Sequence, residues 1–493
     1  MPRTRSTSRR AAASARWRAL ALAPLALALA TASAHATNIN VTTTADENSS
    51  TPPNGNCSLR EAIIAANNNV AVDACPAGSK PIDVISVPAG TYTLTLGSGD
   101  DIAELGDLDI LGETQILGAG ASSTIIDGNG LDRVFHTLAF ETTNVSISGV
   151  TIRHGTTEGI LQQTGNLTVT NSTIELNSGY GIYANTYASV ASSTLRLNGN
   201  AAIETYAAEI SVIDTLVEGN TCPSTAAITN LGSTLTVTRA TVRNNACANG
   251  GVMNGGFGTI TDSTIEGNGP LATNAGAVTS GCIGWSCSSS LTVERTTISG
   301  NLGDGFVPTR GAYQLLNSTI SGNTGRGMLV VSGGVTVTHS TIAQNGGLAI
   351  DNENGGIFGP SSTKLGNSIV QGACLNVAST LASAGGNVES PGNTCLLTDP
   401  SDQVSVASLG LGALGSYGGS TKTHSLSSSS PAVGAGLAGN CLATDQRGIA
   451  RPAPATGDCD AGAYELTGCG ASFTGAGFAI PALVLMRRRR RNR

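Results

Sequence analysis

The side chains of this 493-residue chain that could do chemistry are few, and their spacing argues mostly against catalysis. Cleaving a glycosidic bond takes an acid and a base carboxylate facing one substrate. Asp100-Asp101 is an acid pair, but no matching partners follow it in the sequence. Asp127-Gly-Asn-Gly130 with Asp132 has part of a calcium loop and lacks its later Glu, so it reads as a turn. Asp351 and Glu353 form the densest acid pair of the repeat region, in a loop-like stretch, and are the weak candidates for holding a cation. The histidines His136, His154, His339 and His424 are scattered without ligand spacing. These residues imply no catalytic group, no cofactor and no built metal centre.

The elements that would position them come from a repeat. Segments such as Leu167-Thr-Val-Thr-Asn-Ser-Thr-Ile174, Leu291-Thr-Val-Glu-Arg-Thr-Thr-Ile298 and Val335-Thr-Val-Thr-His-Ser-Thr-Ile342 recur about every 22 residues. Their last apolar residues are anchors: Ile152, Ile174, Leu195, Val217, Val242, Ile265, Ile298, Ile320, Ile342 and Ile369. A repeat this short cannot bury a core alone, so copies must stack. Apolar residues seven and five positions before the anchor alternate with Ser and Thr, which is strand periodicity with the hydroxyls on an outer face. Three residues after the anchor stands Asn, at 177, 198, 220, 245, 268, 301, 323 and 345. Asn tolerates a left-handed turn and can stack into an amide ladder. The expected fold is all-β: a right-handed parallel β-helix (a pectin-lyase-like solenoid) over residues 101–400, rising about 4.8 Å per coil.

Charge supports that register. Arg153, Glu175, Arg196, Glu218, Arg243 and Glu266 follow successive anchors with alternating sign. Asp214, Arg239, Asp262 and Arg295 alternate three residues before them. Opposite charges on adjacent strands attract, and a carboxylate so paired is a poor catalyst.

The ends place the chain outside the cytoplasm. Residues 1–36 read as a signal peptide: six Arg, an apolar run from Ala19 to Ala30, then Ala34-His35-Ala36. The formal net charge is −7, but twelve Arg lie in the two ends, leaving 14 basic and 33 acidic residues between them. Such a body repels nucleic acid and anionic membranes. Aromatics make up only 3% of the chain, few for gripping sugars by stacking. Ten of 11 cysteines pair by proximity: Cys57/Cys75, Cys222/Cys247, Cys282/Cys287, Cys374/Cys395 and Cys441/Cys459. Cys222, Cys247 and Cys374 each lie five residues after an anchor. Cys469 is left over, before an apolar run from Ala471 to Met486 and the run Arg487 to Arg491. That tail reads as a sorting signal to be cut, with Cys469 a lipidation candidate, or as a plain membrane anchor.

Asn56-Cys-Ser-Leu-Arg-Glu-Ala-Ile-Ile-Ala-Ala-Asn67 carries a capping box, Ser58 and Glu61, and one apolar helical face, Leu59, Ala62, Ile63 and Ala66. It resembles the CSLREA motif of bacterial exported β-helix proteins, as do Gly106-Asp-Leu-Asp-Ile110, Ile125-Ile-Asp-Gly-Asn-Gly130 and Arg133-Val-Phe135. Ser430-Pro-Ala-Val433, Thr444-Asp-Gln-Arg-Gly448 and Cys459-Asp-Ala-Gly-Ala-Tyr-Glu465 resemble the choice-of-anchor Q domain, and the tail is similar to GlyGly-CTERM or MYXO-CTERM signals. The expected order is a cap with a short helix over 37–100, the solenoid, an anchor-Q-like segment over 401–466 and the tail over 467–493. The resemblance implies the fold and display at a cell surface, with export machinery and a glycan or polysaccharide as partners and the membrane met through the tail alone. It implies no established reaction. The Asn-x-Asp, Gly-His-Gly and Arg-x-Lys pattern of polygalacturonases is absent in order. Two readings follow: a non-catalytic, adhesin-like surface solenoid, or a polysaccharide lyase or glycoside hydrolase.

Overall fold

The computed structural model describes residues 37–79, 81–97, 99–139, 143–206, 209–269, 272–281, 289–453 and 457–467. They form a right-handed parallel β-solenoid. Each complete coil has three strands, as in Tyr180–Ala184, Ala188–Ala191 and Thr194–Arg196. First and second strands join a 25-stranded sheet, and third strands form a 13-stranded one. Parallel pairing begins ahead of residue 101: Thr37–Asn40 pairs with Asp83–Val87, and Gly90–Thr93 starts the third-strand sheet.

The anchors from Ile152 to Ile342 face inward and are at most 1% exposed. The coil that ends at Ile369 differs from the expected register. Ile342 pairs with Val370, not with Ile369, so Val370 takes the core position. Ile369 points out and is buried with Leu409, Leu426 and Ala432 of the later chain. Cys374 accordingly pairs with Ile350 on a first strand and is not equivalent to Cys222 and Cys247, which pair with each other.

Two buried ladders run along the stack. Each Asn from 177 to 323 donates Nδ2–H to Oδ1 of the next one, at 2.8–3.1 Å. The left-handed backbone expected at these Asn belongs to the residue before: Leu176, Leu197, Gly219, Asn244, Gly267, Gly300, Gly322 and Gln344. Asn is there for its amide, and glycine fills four of the strained positions without steric cost. The second ladder lies two residues before the anchor. Hydroxyls of Ser172, Ser193, Thr215, Ser263, Thr296, Ser318, Ser340 and Ser368 accept backbone N–H bonds from the preceding coil at 3.1–3.4 Å. These hydroxyls are buried, unlike the Ser and Thr that alternate with the apolar residues of the second strands, such as Thr168 and Thr236, which face outward as expected.

Leu59–Asn68 is the one α-helix among the described residues. Ser58 and Glu61 close the capping box. Every residue from Leu59 to Ala66 is buried, so the helix is covered almost all round instead of on one face. Cys57–Cys75 bonds its base. At the other end residues from Lys422 to Ala463 run back along the outside of the third strands. Lys422 meets Glu266 at 2.8 Å, the Gln446 amide bonds Thr297 and Thr319, and Ala463 N–H donates to Thr341. The motif residues there form their own polar network, with Arg451 on Glu465 and Arg447 on Asp445, both at 2.7 Å.

Candidate functional site

Outward side chains separate into two faces. On the second strands one column runs Ser146, Thr168, Ser189, Ser211, Thr236, Thr259, Thr292, Gln314, Thr336 and Lys364. It holds ten polar side chains and no carboxylate. Toward its end a shallow groove of about 400 Å³ crosses Gln314, Thr336 and Lys364.

The first strands carry the chemistry. There the outward column reads Asp109, His136, Leu161, Tyr183 and Glu204 in register. Its first members are set by the cap helix. The Arg60 guanidinium is fully buried, pairs with Asp46 at 2.7 Å and donates to the carbonyls of Ala103, Gly106 and Asp107. The Asn67 amide donates to Asp109 O and accepts from Leu111 N–H. Two residues of the CSLREA-like segment therefore clamp the stretch that presents Asp107 and Asp109.

Burial pushes the Asp107 carboxyl up to about 6, against the pull of Arg133 at 2.6 Å. Burial also raises Asp109, partly offset by His136 and by the Ala103 N–H. For His136 burial works downward, but Asp109 and Gln163 outweigh it and the net shift is upward. His136 Nδ1 stands 3.2 Å from Asp109 Oδ1 and 3.5 Å from Asp101 Oδ1. Neither the Nδ1 nor the Asp109 Oδ1 atom makes a hydrogen bond of good geometry, although the first distance alone would allow one. Sequence spacing could not find this trio, because only the pairing of Asp109 with His136 across coils joins them.

Farther along, Tyr180 and Tyr183 meet edge to face with ring centroids 5.2 Å apart. Glu204 sits beside Tyr183, 7% exposed, its pKa raised by burial. Tyr206 is 67% exposed. Four of the chain's eight tyrosines, at 180, 183, 187 and 206, thus fall on successive coils, which a low overall aromatic content conceals.

The other candidates are accounted for by neighbours. Asp351 lies in the strand Ile350–Asn352, not a loop, and Arg326 reaches both it and Glu353, at 3.0 and 3.4 Å, as well as Asp304. Asp127 is held by Arg153 and His154. The charge ladder resolves into pairs: Arg196 with Glu175, Arg243 with Glu218, Arg239 with Asp214 and Arg295 with Asp262. His339 lies near Cys441 and Cys459, but those sulfurs bond each other and offer no thiolate. Disulfides also join Cys222–Cys247 and Cys374–Cys395, which fits an oxidising compartment. Cys282, Cys287, Cys469, the signal peptide and the tail lie outside the described residues. No helix among the described residues is long and apolar enough to cross a membrane.

Residues 227–369 match the family model of the right handed beta helix region. No curated protein sequence matches the chain. Solved structures similar to it include the A-module of mannuronan C-5 epimerase AlgE6 from Azotobacter vinelandii, at 14% identity over 66% of this chain and 87% of that one, with a TM-score of 0.41. Pectate lyase Pel9A matches at 14% identity over 88% and 97%, with a TM-score of 0.36. The catalytic unit of a GH87 alpha-1,3-glucanase from Streptomyces thermodiastaticus matches at 15% identity over 66% and 68%, with a TM-score of 0.42.

Proposed function

We propose that this chain is an exported, surface-anchored solenoid that binds polysaccharide without cleaving it. The observation that carries this reading is the second-strand column from Ser146 to Lys364, which presents hydroxyls, the Gln314 amide and the Lys364 ammonium and no carboxylate. The ladder carboxylates nearby are each bonded to an Arg or, for Glu266, to Lys422, so they cannot serve as an acid and base pair. Tyr180, Tyr183 and Tyr206 supply stacking faces, and Glu204 supplies an acceptor for sugar hydroxyls. The negative body favours neutral glycans over polyuronates. The signal peptide and tail read from the sequence supply export and attachment.

A glycan array with the mature protein, run beside an assay for released reducing or unsaturated ends, tests this. Retention of neutral polysaccharide without release is expected, and Tyr183→Ala should weaken retention about tenfold, equivalent to about 1.4 kcal/mol. Turnover would overturn the non-catalytic reading.

A further inference from the structure

We propose that Asp101, Asp109 and His136 form a binding site for one divalent transition-metal ion of the zinc class. Their ligand atoms all lie within 4.8 Å of one another. His136 is 3% exposed and Asp109 fully buried, yet His136 Nδ1 and Asp109 Oδ1 are without a hydrogen-bond partner of good geometry. His136 Nδ1 stands 3.5 Å from the exposed carboxylate of Asp101, and a carboxylate oxygen of Asp109 lies within 4.8 Å of it.

The spacing fits a metal. In a tetrahedral site with bonds of about 2.1 Å, neighbouring ligand atoms stand about 3.4 Å apart. The two edges that meet at His136 Nδ1 measure 3.2 and 3.5 Å. The surrounding contacts fit as well. His136 Nε2 is 2.9 Å from Gln163 Oε1, an acceptor, so that nitrogen carries the proton and Nδ1 keeps a lone pair. Asp109 Oδ2 accepts the Ala103 N–H at 2.7 Å, which leaves Oδ1 turned toward Nδ1. Asp100 Oδ1 accepts the N–H groups of Ile102 and Glu104, and Arg60 holds the Ala103 and Gly106 carbonyls that follow, so the stretch carrying Asp101 is braced. One imidazole with two carboxylates selects zinc or a similar ion over calcium and magnesium, which favour oxygen alone. Asp101, on the solvent side, leaves the remaining coordination position open to water or to a ligand hydroxyl.

The site stands apart from the polysaccharide reading, since metal binding is measured without any glycan. The test is calorimetric titration of chelator-treated mature protein with zinc chloride, with disulfides intact and free thiols alkylated. One equivalent of zinc should bind. Asp109→Asn and His136→Gln should each weaken it at least tenfold, and Gln163→Ala, which removes only the orienting contact, about tenfold. Asp101→Asn alters an exposed side chain that the fold does not need, so a loss of affinity there reports ligation and not misfolding. X-ray absorption of the zinc complex should show a first shell of oxygens and one imidazole nitrogen. Binding unchanged in Asp101→Asn and His136→Gln, stronger binding of calcium or magnesium than of zinc, or no binding at all would each overturn the proposal.

Discussion

His339 is fully buried, and burial, with Arg451 nearby, lowers its pKa from 6.5 to about 3. In the unfolded chain it titrates near 6.5. Between those values the unfolded state carries a proton that the folded state does not. Stability at this residue is therefore complete above pH 6.5 and falls as pH drops toward 3, by about 1.4 kcal/mol per unit. His339→Asn keeps a side chain that tolerates the left-handed backbone here and removes the titration. Unfolding free energies at pH 6.5 and 4 should differ by about 3 kcal/mol less in the variant than in the parent. Arg60 makes a second residue-scale case. Arg60→Leu strips four partners and leaves the Asp46 carboxylate buried, so urea unfolding should show a loss of about 3–5 kcal/mol. A cost near zero would contradict the clamp. The helix around Arg60 was legible from its capping box and apolar spacing, but the direction of the guanidinium was not, because a cationic side chain in a short helix ordinarily reads as solvated.

The stacked coil is the element, and its ladders make its stability additive and local. The Asn245 side chain donates to Asn268 and to the Val217 carbonyl and accepts from the Asn220 amide and N–H. Asn245→Ala leaves several buried partners unmet and should cost about 2–4 kcal/mol, while Asn345→Ala, at the half-exposed ladder end, should cost about 1 kcal/mol. Ile320→Ala should cost about 2–5 kcal/mol through the cavity it opens. Denaturant titrations of the three variants check the order. The anchors were readable because one apolar residue per coil has no alternative place in a stacked core. The slip at Ile369-Val370 arose because both are apolar, and only the returning chain over Ile369 makes the outward position apolar as well. The buried Ser and Thr ladder could not be told from surface hydroxyls, since the two share composition and differ only in the turn that carries them. The Asp101, Asp109 and His136 grouping needs the coil register before it exists at all.

At the scale of the molecule, the chain from Lys422 to Ala463 braces the later third strands, and Gln446 is its central contact. It is 1% exposed and bonds Thr297, Thr319, Thr421 and the Lys422 carbonyl. Gln446→Leu should raise hydrogen exchange in residues 297–323 and 421–447 while leaving 144–196 unchanged, because distant coils share no contacts with it. Equal loosening everywhere would show that the solenoid opens as one unit. The same return path has a mechanical consequence. The last described residues lie beside Thr341, on the flank of the stack and short of its tip. A tail that tethers the chain, as proposed above, would grip a stiff rod partway along its length. The eight steps from the coil of Thr341 back to that of His136 then form a lever arm of roughly 38 Å, at about 4.8 Å per step. The tyrosines and the acid–histidine cluster ride on that arm, so under the proposed function a load on a bound glycan would reach the attachment as torque across the ladders and not as tension along the polypeptide.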